Sequence, residues 1–233
     1  MLTWATLITF CLGSTFAFRH ATPQPDRLFK RQSSVNYYRG PVVPSFNISM
    51  PIDHFNSSDT RTYNNRYWVN DTFYQPGGPI FFYDMGEEGV SNETAAQWLA
   101  ETNGTTAVMA LARQYHGLAI LWELRYYGLS LPFPFSKNFT SGSMRDLVGA
   151  PASWQYSTVE QGLEDVVYFA NNMSLGGYQP SGINMTQLLP NNTPWVYIGG
   201  SYPGGRALWM RVRKSLSLPK TRPLRDQLPS RLN

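Results

Sequence analysis

A serine hydroxyl attacks a carbonyl only when a base takes its proton and nearby dipoles hold the resulting oxyanion. One stretch of the 233-residue chain offers a setting for such a serine: Gly199-Gly200-Ser201-Tyr202-Pro203-Gly204. The apolar run Trp195-Val196-Tyr197-Ile198 leads straight into it, and a helical run follows. A sharp strand-to-helix turn lifts a serine clear of the backbone, and it needs small residues on either side because chain segments crowd there. The two glycines before Ser201 meet that need. Pro203 stands where the usual Gly-X-Ser-X-Gly pattern has its second glycine. The first turn of a helix tolerates it, since N–H groups there have no intrahelical partner anyway. Gly-Gly-Ser alone is also an ordinary turn; the buried strand before it and the helix after it favour a nucleophile. The expected chemistry is acyl transfer through Ser201, with the backbone N–H of Tyr202 as an oxyanion donor.

A second donor must come from the loop after an earlier strand. Pro79-Ile80-Phe81-Phe82-Tyr83 is a continuous apolar run, the pattern of a strand buried on both faces. It ends in the polar loop Asp84-Met85-Gly86-Glu87-Glu88-Gly89, whose glycines let backbone approach closely. Gly86 is therefore the candidate oxyanion-loop residue and Glu88 the candidate contact for a substrate amine, while Glu87 reads as a solvated loop acid. Chemistry of this kind calls for no cofactor and no metal.

Those loops need a scaffold. Phe46–Ile52 and Arg66–Asn70 alternate as strands do, with a turn-rich segment between them. Ala107–Tyr115 reads as a helix that Gly117 closes, followed by a buried strand, Leu118–Trp122. Ser157 to Glu160 forms a capping box opening a helix with Val159, Leu163, Val166, Val167 and Ala170 inward. Strands alternating with helices predict a layered α/β fold with a mostly parallel sheet. The strand ahead of Ser201 would then have one side unpaired in this chain, an edge prone to pair with other chains.

The net charge of +4 is unevenly spread. Residues 206–233 hold eight Lys/Arg and one acid, whereas 32–205 carry a net charge of −6. An acidic body offers no basic face for nucleic acid. Residues 1–17 read as a secretory signal peptide, with an apolar centre at Leu7–Leu12 and Thr15 and Ala17 ahead of a cut before Phe18. Residues 18–31 end in Lys30-Arg31 and read equally as a propeptide or a linker. Asn-X-Ser/Thr occurs nine times, at Asn47, Asn56, Asn70, Asn92, Asn103, Asn138, Asn172, Asn184 and Asn191. Composition alone would give about two or three. Pro194 just after the last of them disfavours Asn191. The excess predicts a glycoprotein, extracellular or in a vacuolar-lysosomal lumen, with no membrane association once the signal is removed. The single cysteine, Cys11, lies in the signal, so a disulfide-stapled module is excluded.

Six blocks, in order, make the chain resemble the serine peptidases that include lysosomal Pro-X carboxypeptidase, dipeptidyl-peptidase II and thymus-specific serine protease. They are Ile52-Asp53-His54-Phe55-Asn56, Asn65-Arg66-Tyr67, Gly78–Phe81 through Gly86–Gly89, Glu123–Phe133 with its Arg125-Tyr126-Tyr127-Gly128, Glu160–Asp165, and Gly199–Tyr202. Leu124 departs from the pattern, since a histidine usually precedes that Arg-Tyr-Tyr-Gly. The resemblance implies an α/β-hydrolase fold, here its N-terminal part over residues 32–212. It also implies exopeptidase action on proline-containing peptides through Ser201, then a helical insertion, an Asp and a His further along. The histidines of this chain are His20, His54 and His116, all ahead of Ser201, and His54 reads as a structural hydrogen-bonding residue. Residues 213–233 form a basic tail without strand or helix period. The expectation is a serine exopeptidase, dipeptidyl-peptidase or Pro-X carboxypeptidase-like, that is inactive as this chain stands. A non-catalytic secreted glycoprotein is the alternative, and a lipase or esterase is disfavoured by the His54 and Arg125 blocks.

Overall fold

The computed structural model describes residues 4–6, 42–100, 106–133 and 152–215. Six strands form one sheet: β1 (Trp4–Thr6), β2 (Ser45–Pro51), β3 (Thr62–Asn70), β4 (Ile80–Asp84), β5 (Leu118–Trp122) and β6 (Trp195–Ile198). Their order across the sheet is β1-β6-β4-β5-β3-β2. β2 and β3 form an antiparallel hairpin, β3 joins β5 antiparallel, and β5, β4, β6 and β1 run parallel. This mixed α/β sheet is consistent with an α/β-hydrolase-like fold.

The three central strands show why continuous apolar runs were needed. Ile80 and Phe82, Leu118, Ile120 and Trp122, and Trp195 and Tyr197 face one helical layer. Phe81, Ala119, Leu121 and Val196 alternate with them and face the other. The second layer is α1 (Asn92–Leu99) with α2 (Ala107–Tyr115), packed through Ala95, Leu99, Val108, Met109 and Ala112. The first is α3 (Val159–Asn172) with α4 (Tyr202–Ser215), packed through Leu163, Val166, Phe169, Ala170, Ala207 and Met210. Both faces are dry, so period-two alternation survives only as a choice of layer. Val167, expected inward on α3, is only partly buried.

Several local expectations shift. The cap of α3 is Thr158, not Ser157: its hydroxyl accepts from Gln161 N–H at 3.2 Å. Gln161 does not close the box, because its own side chain is committed to Asp53 and to the backbone N–H of His54. At the end of α2 the left-handed residue is His116, φ 53°, and Gly117 serves a contact instead. A Cβ there would sit 2.5 Å from Pro79 O and 2.6 Å from the Phe81 ring. β3 begins earlier than expected, and α1, capped by Ser91, was not foreseen. In the uncut chain Trp4, Ala5 and Thr6 lie parallel to Trp195, Val196 and Tyr197 on the far side of β6; a cut before Phe18 would take that strand away and leave the side open, as expected from sequence. The opposite edge, β2, is covered where Gly177 N–H donates to Asn47 O. Asn103, Asn138, His20, Lys30-Arg31 and most of the basic tail lie outside the described residues. Among those described, no helix is long and apolar enough to cross a membrane.

Candidate active site

Because β4, β5 and β6 are parallel and in register, their C-terminal ends share one edge of the sheet. The loops Met85–Gly89, Glu123–Leu129 and Gly199–Ser201 leave that edge together. Ligands in open parallel sheets bind at this edge. Ser201 sits between β6 and α4 with φ 55°, a left-handed conformation that costs a non-glycine residue roughly 1–2 kcal/mol. Its side chain is exposed, and its carbonyl accepts the first helical bond, from Gly205 N–H at 3.1 Å. Tyr202 is the first residue of α4, so its N–H points out of the helix start without an intrahelical partner.

The two preceding glycines differ in purpose. A Cβ on Gly199 would lie 2.5 Å from Pro203 Cβ and 2.7 Å from Pro203 C, so the strand can turn against the helix only without one. A Cβ on Gly200 would meet nothing within 4 Å. Gly199→Ala is therefore expected to cost about 1–3 kcal/mol by overpacking and to displace Ser201. Gly200→Ala should stay within about 0.5 kcal/mol of the parent. Thermal melts of the two variants check this; equal losses would mean that the elbow yields more freely than its contacts imply.

Ser201 opens into a cleft of about 460 Å³ lined by Tyr83, Asp84, Met85, Glu87, Glu88, Trp98, Gly200 and Pro203. Glu88 lines the cleft beside Ser201, and Glu87 lines it too while staying exposed, as expected of a solvated loop acid. The field is negative: burial first, then the charges of Asp84 and Glu88, raise the Tyr83 hydroxyl above its ordinary pKa. Gly86 is in the expected loop, with φ 65°, and packs so tightly on Pro203 that a Cβ would overlap the proline ring. Its N–H, however, donates to Asp84 Oδ1 at 2.9 Å and is not offered to the cleft. Gly86 therefore shapes the loop and supplies no donor. Leu124 is buried and lines a smaller neighbouring cleft of about 160 Å³ with Glu87, Tyr127, Tyr202 and Arg206.

Three buried ion pairs underlie this edge, and sequence reading missed all of them. Asp84 Oδ2 accepts from Arg206 Nε at 2.8 Å and from the Tyr197 hydroxyl, while Arg206 also donates to Gly162 O. Burial, countered in part by Arg206 and then reinforced by Asp84, holds the Tyr197 hydroxyl protonated far above its usual range. Glu123 accepts from Arg66 Nε at 2.9 Å, Val90 N–H at 2.8 Å and Ser130 Oγ at 2.7 Å, tying the β4 loop to the β5 loop. Asp165 accepts from Arg125 Nε at 2.5 Å, from the Tyr63 hydroxyl and from His54 Nε2 at 2.7 Å. His54 is thus a structural partner, as expected from sequence. His116 lies before β5, at the opposite edge of the sheet from Ser201. A charged residue inside an otherwise apolar run, Asp84 after Ile80–Tyr83 or Arg206 within α4, was the signal available.

The family model described as Serine carboxypeptidase S28 matches residues 50–214. A relative named "Probable extracellular serine carboxypeptidase" from Arthroderma benhamiae is 33% identical over 178 residues, covering 74% of this chain and 22% of its own length. Mouse thymus-specific serine protease is 32% identical over 171 residues, 71% of this chain and 27% of the relative. Mouse lysosomal Pro-X carboxypeptidase is 28% identical over 194 residues, 83% and 32% respectively. The chain thus spans between about a fifth and a third of the length of these relatives.

Proposed function

The chain belongs to the serine carboxypeptidase S28 family, and on that premise we propose that it carries the nucleophile of a secreted serine exopeptidase acting on proline-containing peptides. The observation that carries the reading is Ser201, exposed at φ 55° between a buried strand and a helix start. Ser201 Oγ adds to the carbonyl carbon of the scissile bond and gives its proton to a histidine base. The oxyanion faces the Tyr202 N–H; the C–N bond breaks, and the base returns the proton to the leaving amine. Water then attacks the acyl ester and regenerates the serine. The Asp and His follow the nucleophile in chain order, as the family resemblance implies. Glu88 in the cleft suits a peptide's terminal amine, which favours dipeptidyl-peptidase over carboxypeptidase action.

Residues 1–233 by themselves are read as an inactive part of that peptidase, with a non-catalytic secreted glycoprotein as the alternative. Two of the three histidines are engaged or remote: His54 is bonded to Asp165, and His116 occupies the far edge of the sheet. With no histidine placed beside Ser201 among the described residues, only residual catalysis from oxyanion binding is expected, several orders of magnitude down. The expected result is hydrolysis of an X-Pro chromogenic dipeptide by the full-length protein and none by residues 1–233. Activity of the shorter chain within about tenfold of the longer one would overturn the assignment of the base.

Secretion through the lumen supports glycans at the exposed sequons Asn47, Asn56, Asn92 and Asn184. Asn70 is half-buried, and its Nδ2, the atom a glycan would use, donates to Leu99 O at 2.5 Å. Site-resolved mass spectrometry should find Asn70 the least occupied of these five. High occupancy there would show that glycan addition precedes, and overrides, that contact.

A further inference from the structure

We propose that Asp84 and Arg206 are positioning residues for oxyanion binding, and that the second oxyanion donor is the backbone N–H of Glu87. The proposal rests on Ser201 being the nucleophile. After β4 the chain offers three N–H groups in succession. Met85 N–H donates to Trp122 O at 3.1 Å, and Gly86 N–H to Asp84 Oδ1 at 2.9 Å. Both are committed to the fold. Glu87 N–H comes next and has no acceptor among the described residues. Glu87 lines both the cleft that holds Ser201 and the smaller one that holds Tyr202, so it stands where the two meet.

Asp84 divides its two oxygens between the parts that must be held together. Oδ1 fixes the β4 loop through Gly86, one residue before the donor. Oδ2 fixes α4 through Arg206, five residues beyond Ser201, and Arg206 is anchored in turn on Gly162 O of α3. Both side chains are about 1% exposed, so no solvent lends the pair slack. Burying such a pair gains little net stability over an apolar one. Its use lies in fixing the separation between the Tyr202 and Glu87 N–H groups. A misplacement of about 1 Å in such a site can cost about 100-fold in rate.

The test uses the full-length protein, with substrate kinetics and a peptide boronate whose boron forms a tetrahedral adduct with the nucleophile. Asp84→Asn and Arg206→Lys should each lower kcat about 10- to 100-fold, with KM within about twofold. Boronate affinity should fall in step with kcat. A purely structural pair would lower the melting temperature and leave the kcat of the folded fraction unchanged, which would overturn the proposal. Should both variants fail to fold, amide exchange of the parent decides. Gly86 N–H should be slow with or without boronate, and Glu87 N–H fast until boronate is added. Protection gained at Gly86 instead would reject Glu87. Boronate attached to a residue other than Ser201 would reject the nucleophile and this proposal with it; attachment at Ser201 with unchanged Glu87 exchange would reject this proposal alone.

Discussion

Replacing Ser201 by alanine in the full-length enzyme is expected to abolish labelling by a fluorophosphonate and to lower kcat by about three orders of magnitude or more. Among the described residues lining the same cleft, no other serine or threonine can take over the role. The neighbours of Ser201 in the cleft are carboxylates, aromatics, a methionine, a proline and a glycine, none of them an aliphatic alcohol. The same backbone strain makes a second outcome measurable. At φ 55° a glycine pays no Cβ penalty, so Ser201→Gly should be inactive yet more stable by about 1 kcal/mol. An inactive variant that melts higher separates loss of chemistry from loss of fold. Labelling that persists at another serine would sink the assignment.

The second large effect concerns stability. Asp165→Ala should destabilise the full-length protein by about 3–5 kcal/mol, the usual cost of leaving a buried partner charge alone. Arg125 would be that partner. It is 2% exposed and also donates to Ile52 O and Tyr156 O, so it cannot swing out to water without unpicking the β2–β3 hairpin from α3. That loss is a large fraction of the roughly 5–15 kcal/mol net stability of an ordinary domain. The pH dependence follows from the sign of the shift. Burial pushes the Asp165 carboxyl up, but the Arg125 charge and the hydrogen bonds from Arg125 and His54 outweigh it and hold the pKa below 3.8. A depressed folded value means that the stabilisation is present above about pH 4, the unfolded value, and is lost as pH falls through the folded one. Urea titrations at neutral and acid pH should therefore show the parent losing stability in acid and Asp165→Ala changing less. A variant within about 1 kcal/mol of the parent at neutral pH would mean that Arg125 finds another anion.

How far the sequence carried depended on whether the cause was local. Ser201 was legible because two glycines, a serine and an apolar strand encode a turn within ten residues. β4, β5 and β6 were legible because strands buried on both faces admit few polar side chains, and α3 because its apolar stripe spans four turns. The cap of α3 slipped by one residue, since Ser157 and Thr158 are chemically equivalent and only the commitment of Gln161 elsewhere tells them apart. Gly117 was read as a helix stop because glycine is the residue most often found at a left-handed cap, yet its real constraint is the Phe81 ring. The short α1 offers just Ala95, Ala96 and Leu99 to the core, too few to show a period. β1 was hidden inside an apolar leader, where strand and signal composition look alike. The buried charges were illegible for a different reason. Asp84 and Arg206 are 122 positions apart, and His54 and Asp165 are 111 apart. No window along the chain holds both members of either pair.

The contact between Gly86 and Pro203 carries a consequence for descent. The proline ring fills the space that a side chain at 86 would need, so the two positions are not free to change in either order. A lineage that replaced Gly86 first would pass through a clash; one that first exchanged Pro203 for glycine would clear the way, and asparagine, which accepts φ near +65°, would be the easiest newcomer at 86. Gly199 gains no such freedom, because it abuts the carbonyl group of residue 203 as well as its ring, and backbone is inherited unchanged. Homologues should therefore covary at 86 and 203 while position 199 stays glycine in both backgrounds.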